Sequence, residues 1–135
     1  EVVVTVMINP NKQGMFTVAE RIEMLSEATA HLGNVRVDSW QGLLVDYAQA
    51  NGITAIVKGL RGANDFDYEI QMAQMNRSIS GVDTLFIPSA SRNSFLASKL
   101  IREVARFGGD VTTMVPAPVA NRLKVKYPTH RQDHG

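Results

Sequence analysis

Cysteine is absent from this 135-residue chain, which excludes disulfides and thiolate metal sites and fits a reducing compartment. No apolar run approaches the roughly 20 residues that a membrane-spanning helix needs, and no signal-peptide pattern is visible. Both absences point to a soluble, cytoplasmic protein with no membrane partner. A surplus of positive charge is missing too: 14 Lys and Arg against 13 Asp and Glu leave a formal net charge of +1. That balance argues against nucleic acid as a partner, because an extended footprint clusters Lys and Arg to neutralise several phosphates, while local phosphate pockets stay open. Linker-like and low-complexity tracts are lacking as well. What is present, 44% hydrophobic and 20% charged residues, suits one soluble globular domain with a single core. An initiator Met and a leading loop are also wanting. The chain opens directly on Glu1-Val2-Val3-Val4-Thr5-Val6-Met7-Ile8, which reads as a strand buried on both faces inside a parallel sheet, so upstream sequence is expected.

The most informative stretch is Ala55-Ile56-Val57-Lys58-Gly59-Leu60-Arg61, followed by Asp65-Phe66-Asp67-Tyr68-Glu69. An apolar run over 53–57 reads as a strand that ends at Lys58, and a helix begins a few residues later. In open α/β sheets ligands collect beyond the carboxyl ends of strands, where helix N-termini point unpaired N–H groups inward. Two cations there suit a phosphorylated ligand, although solvated loop charges are the ordinary alternative. Lys12 poses the same choice, since Pro10 and Gly14 end the strand over 2–8 just before and after it.

Thr17-Val18-Ala19-Glu20 is a capping box, and Val18, Ile22, Leu25, Ala28 and Leu32 continue it as an amphipathic helix stopped by Gly33. His31 is read as a last-turn residue favoured by the helix dipole. Residues 34–39 alternate as a short strand, and after Gly42 a short helix over 43–48 ends at Asn51-Gly52. One of Leu43 and Leu44 is expected in the core and the other as an apolar wall or a source of backbone N–H groups. Asn64 is read as the N-cap of a helix reaching Ser80, with Gly81 beyond it. That helix carries two apolar stripes, Phe66, Ile70 and Ala73 on one side and Tyr68, Met72, Met75 and Ile79 on another. The second suggests a subunit interface or a ligand wall. Asp83 to Pro88 is the last strand. Ser94 is read as the cap of a helix through Phe107 with a core stripe of Leu96, Leu100, Val104 and Phe107, and Ser94, Ser98 and Lys99 near its start suit phosphate. Pro118 fits the first position of a final helix ending near Tyr127. The tail over about 128–135, with His130 and His134, is expected to be flexible and without chemistry.

Strands alternating with helices at this spacing imply a mostly parallel sheet covered on both faces. Its strand ends would bring Lys12, Lys58 with Arg61, and Ser94 with Ser98 to one rim.

Asn9-Pro10-Asn11-Lys12, Gly42-Leu43-Leu44-Val45-Asp46, Val57-Lys58-Gly59-Leu60-Arg61, Asp65 through Asn76 and Gly108-Gly109-Asp110-Val111 together resemble the bacterial, especially actinobacterial, phosphopantetheine adenylyltransferases. The likeness runs in order through nearly the whole chain. It implies an α/β, Rossmann-like, doubly wound parallel fold of the nucleotidyltransferase superfamily, here one domain over 1–135 without its first βα unit. The family's Gly-Ser/Thr-Phe-Asp-Pro and Gly-His block is absent. The implied reaction moves AMP from ATP, with Mg2+, to 4′-phosphopantetheine, giving dephospho-coenzyme A and pyrophosphate. The resemblance also implies a homohexamer and coenzyme A as a feedback inhibitor. By the same resemblance Lys12, Leu44 and Lys58 would hold phosphopantetheine, with Lys12 and Arg61 acting in catalysis. Gly59, Leu60, Arg61, Glu69 and the segment Asn93, Ser94, Phe95, Leu96, Ala97, Ser98 and Lys99 would hold ATP. No protein metal ligand is implied. Ala97 and Lys99 stand where the family shows small hydroxyl residues, and Asn93 where an aromatic is common. A noncatalytic nucleotide- or coenzyme A-binding module, or a sister nucleotidyltransferase, are the alternative readings.

Overall fold

The computed structural model describes residues 1–12 and 14–128; the tail with His130 and His134 lies outside the described residues. Strands and helices alternate: β1 Val2–Ile8, α1 Val18–Thr29, β2 Val35–Gln41, α2 Leu44–Ala50, β3 Ala55–Leu60, α3 Ala63–Ser80 and β4 Asp83–Pro88, then a single 3-10 turn Ser91–Asn93, α4 Ser98–Arg106 and α5 Ala117–Lys126. β1 pairs with β2, starting side by side where the Val2 N–H donates to the Asn34 carbonyl at 2.8 Å, and β3 pairs in parallel with β4. This is the small α/β, Rossmann-like arrangement that the alternating pattern implied. Among the described residues no helix is long and apolar enough to cross a membrane.

By its internal contacts the chain forms two compact units. The first, Glu1–Val6, Gly14–Asp38 and the chain from Leu96 onward, has a core of Ala105, Val111 and Leu123 flanked by Phe16, Ile101 and Tyr127. Its helices α1 and α5 are joined by Arg122, whose Nη2 lies 2.8 Å from a Glu23 oxygen and 3.4 Å from one of Glu27. The hydrogen bond that Arg122 donates to Glu23, with the charge of both carboxylates, raises the guanidinium above its ordinary value. Lys126 lies over the Phe16 ring, 4.9 Å from its centroid, and donates to the Met15 carbonyl.

The second unit holds the Lys12 turn and Ser39–Phe95. Its core joins Ala48 of α2, Ile56 of β3 and Val82, with Leu44 and Ile53 packed against them. Gly42, at φ 128°, makes the turn between β2 and α2. A side chain there would be strained and would also approach the Trp40 indole nitrogen. Ile56 and Lys58, two residues apart on one strand face, look toward α2 and α3. The other face of the β3–β4 pair leaves Val57, Leu85 and Ile87 exposed. Within this unit the sheet is therefore covered on one face rather than two, because both of its helices pack on the same side.

Several boundaries differ from the sequence pattern, each for a local reason. α1 ends at Thr29, whose hydroxyl donates back to the Leu25 carbonyl at 2.7 Å, an alternative bond that loosens a helix end. His31 thus lies beyond the last turn. β3 runs through Leu60, since the ladder continues to Leu60 opposite Pro88, so Lys58 and Gly59 are strand residues rather than loop residues. Gly62, not Asn64, is the N-cap of α3, while Gly81 at φ 76° closes it as expected. α4 starts at Ser98 after Ala97, not at Ser94, because the 3-10 turn over Ser91–Asn93 uses the chain first. Ile101 and Ala105 face the core, and the expected stripe instead leaves Leu100 51%, Val104 36% and Phe107 80% exposed. Ala117 takes the first position of α5 and Pro118 the second.

The capping box formed as expected: the Glu20 N–H donates to the Thr17 hydroxyl and the Thr17 N–H donates to the Glu20 carboxylate, both at 3.1 Å. Thr17→Ala should cost about 1 kcal/mol of unfolding free energy, read from urea midpoints. The Thr17 backbone hydrogen bond, followed by that of its hydroxyl, holds the Glu20 carboxyl below 4.5. A group lowered on folding stabilises above its unfolded value and loses that contribution as pH falls through the folded one. The stability gap between wild type and Glu20→Gln should therefore be open at neutral pH and close well below pH 4.5.

Candidate functional site

The second unit gathers Lys12, Leu44, Lys58, Gly59, Leu60, Arg61, Glu69, Asn93, Ser94 and Phe95. β3 and β4 fix the most informative of them. Lys58 stands opposite Phe86 in the ladder, and Phe86 meets Phe66 of α3 edge to face, 5.9 Å between ring centroids. α3 is thereby held over the strand face that carries Lys58. From that face the Lys58 ammonium lies 3.7 Å from a Glu69 carboxylate oxygen, with 41% of the lysine side chain and 26% of the glutamate side chain exposed. Three residues on, Arg61 Nε lies 3.9 Å from Asp65 at the start of α3.

Gly59 lies on the opposite, exposed strand face. A Cβ there would meet only the Ile87 carbonyl oxygen at 4.0 Å, an ordinary contact, so packing does not demand glycine. Its bare backbone is what the position offers: room for a ligand to approach the chain closely. The Leu60 carbonyl accepts from the Ser89 N–H at 2.8 Å, so the segment after β4 departs beside Leu60. The turn over Ser91–Asn93 follows, closed by the Asn93 N–H on the Ala90 carbonyl, and Asn93, Ser94 and Phe95 are all exposed.

Lys12 is exposed, on a turn where its N–H donates to the Asn9 carbonyl and the Asn11 N–H to the Asn9 side chain. Of the two leucines, Leu44 packs on the core of Ala48, Ile56 and Val82, while Leu43 is 59% exposed. Leu43 is the more outward of the two, and Leu44, partly buried, also offers its backbone at the first turn of α2. Leu96, Ala97, Ser98 and Lys99 belong to the other unit. There Ala97 is the N-cap of α4 without a side-chain bond, and Ser98 and Lys99 are exposed in its first turn.

On α3 the second apolar stripe is open to solvent: Tyr68, Met75 and Ile79 are more than half exposed and Met72 is 41% exposed. At 100° per residue this stripe lies on one side of Glu69, and Phe66, Ile70 and Ala73 lie on the other. The Lys58–Glu69 pair thus marks the border between the packed and the open faces of the helix. The pairing itself escaped the sequence pattern. Its signal was the shared parity of Ile56, Lys58 and Leu60 in a strand that runs three residues past the apolar run. Among the described residues no group of three or more His, Asp or Glu side chains gathers.

This arrangement of a parallel β3–α3–β4 unit, with cations at the strand end and a glycine exposing backbone beside them, suits a phosphorylated ligand at the carboxyl edge of an α/β sheet. A family model described as Cytidylyltransferase-like matches residues 1–104, covering β1 through most of α4. The chain belongs to the Cytidylyltransferase-like family, within the nucleotidyltransferase superfamily.

Proposed function

We propose that the nucleotidyl transfer indicated by the family is adenylyl transfer from ATP to 4′-phosphopantetheine. The observation that carries this reading is the border on α3: a lysine ammonium at Glu69 and, beginning beside it and running along the helix, the exposed side chains of Tyr68, Met72 and Met75. A cation beside an uncovered apolar stripe matches an acceptor with a phosphate at one end and a long, weakly polar arm behind it. The outward Leu43 adds apolar surface in the same unit. A purely polar acceptor would leave that stripe unused.

In the proposed reaction an oxygen of the acceptor phosphate attacks the α-phosphorus of ATP. The new P–O bond forms as the bond to the β-phosphate oxygen breaks, and pyrophosphate leaves with that electron pair. No covalent nucleophile is needed; alignment and charge neutralisation carry the rate. Lys58 and Lys12 are assigned to the acceptor phosphate and the charge growing on the α-phosphoryl group. Arg61 and the bare backbone at Gly59 and Leu60 are assigned to the nucleotide. Magnesium enters on the triphosphate, as part of the substrate.

The direct test is pyrophosphate release on mixing the chain with ATP, magnesium and 4′-phosphopantetheine. Release that requires both substrates is expected; binding of either without release would favour a noncatalytic module. Lys12→Ala should slow turnover about a hundredfold, roughly 3 kcal/mol of barrier, with an unchanged thermal unfolding midpoint. Met72→Asp should raise KM for phosphopantetheine about tenfold or more, as expected for placing a charge against an apolar arm. It should leave KM for ATP unchanged. Equal effects on both substrates would refute the apolar wall.

A further inference from the structure

We infer that Trp40 is a specificity residue for the acceptor, its indole N–H donating to an amide carbonyl of the phosphopantetheine arm when the Gly42 turn shifts to admit it. The inference deepens the proposed adenylyl transfer and rests on it.

The observation behind it is a polar atom without its bond. Trp40 Nε1 is shut off from solvent and has no hydrogen-bond partner among the described residues, although a buried indole N–H ordinarily finds one. The Thr84 hydroxyl shares that condition, but it stands in the β3–β4 ladder opposite Ile56 of the core, where no ligand reaches. Trp40 is placed differently. It lies near the end of β2, two residues before Gly42, and its ring is braced edge to face on the buried Tyr47 of α2, 5.5 Å between centroids. The Gly42 turn covers its nitrogen: a Cβ on Gly42 would come 3.3 Å from Nε1. That cover has no side chain and stands at φ 128°, and glycine re-orients its backbone at little steric cost. Directly after it come the exposed Leu43 and the first turn of α2. α2 packs beside α3, so the turn belongs to the same helix pair as the apolar stripe of Tyr68 and Met72. The arm of phosphopantetheine carries amide carbonyls. A carbonyl that loses water against an apolar wall needs a donor, and an indole N–H can only donate. Each supplies the bond that the other lacks.

Trp40 is the single tryptophan of the chain, so its emission reports this ring alone. Titrating the whole wild-type chain with phosphopantetheine, without ATP, should shift that emission, and ATP with magnesium alone should leave it unchanged. Trp40→Phe keeps an aromatic ring against Tyr47 and removes the N–H. In steady-state pyrophosphate release, with each substrate varied in turn, it should raise KM for phosphopantetheine about fivefold, the size of one neutral hydrogen bond. KM for ATP should stay the same. An alkyl phosphate of similar length, which has no amide, should compete with phosphopantetheine with the same inhibition constant in both proteins. A substitution that merely loosened the packing would weaken both ligands alike, so an equal loss for the alkyl phosphate would overturn the inference. So would an unchanged KM for phosphopantetheine, or wild-type emission that phosphopantetheine leaves unmoved; this last readout needs no variant to fold. A wild-type chain that releases no pyrophosphate would instead refute the reaction itself.

Discussion

The parallel ladder between β3 and β4 is the constraint on which the candidate site depends. Its register, Ala55 opposite Asp83 through Leu60 opposite Pro88, extended by the Ser89 N–H on the Leu60 carbonyl, sets three things at once. It turns Ile56 into the core and Lys58 toward α3 on the same face. It leaves Gly59 bare on the other. It also starts the segment over 89–95 beside Leu60. A one-residue slip would send Ile56 to solvent and Lys58 away from Glu69, because side chains alternate with a period of two. Burial of Ile56 against Ala48 and Val82 therefore protects the chemistry indirectly: a hydrophobic contact fixes where a cation points.

α3 is asked to do two jobs, and its sequence records both. Phe66, Ile70 and Ala73 face the strands, while Tyr68, Met72, Met75 and Ile79 remain outside. A helix that needed only to cover the sheet would carry polar residues on its outer side. Four exposed apolar side chains in one stripe depart from that pattern, and under the proposed function they would meet the apolar arm of the acceptor. The ion pairs at the helix start follow the same logic. Lys58 with Glu69 and Arg61 with Asp65, at 3.7 and 3.9 Å, are partly exposed pairs that add little to stability. They keep cations in place while leaving them exchangeable.

Elements whose signal is local were legible in the sequence. β1 over residues 2–8 and β4 over 83–88 came directly from apolar runs bounded by turn residues, and the Thr17 capping box and the Gly81 stop from side-chain chemistry within a few positions. What escaped depended on partners elsewhere. β3 outran its apolar stretch because β4 supplies ladder partners for Lys58, Gly59 and Leu60, which no window on 53–57 contains. α4 turned Ile101 and Ala105 inward instead of Leu100 and Val104 because Val111 and Leu123 lie on that side. In the site the residue types were readable and their pairings were not. Lysine at the strand end and glutamate on the helix could be named separately, but their meeting is a product of strand parity and helix packing.

The proposed transfer between two phosphorylated reactants needs no nucleophile from the protein. Acyl transfer or covalent nucleotidyl transfer requires a side chain activated by a neighbouring base. A phosphate oxygen that already carries negative charge needs neither activation nor an intermediate. It needs its repulsion from the triphosphate cancelled while the two are held in line. Exposed lysines and an arginine serve that purpose better when they are not locked in strong buried pairs, since a cation committed to a protein carboxylate has little left for substrate. The distance and exposure of the Lys58–Glu69 pair put it in the loosely held class. In the proposed reaction, the same weakness that makes this contact minor for stability would leave the cation available to an anionic reactant.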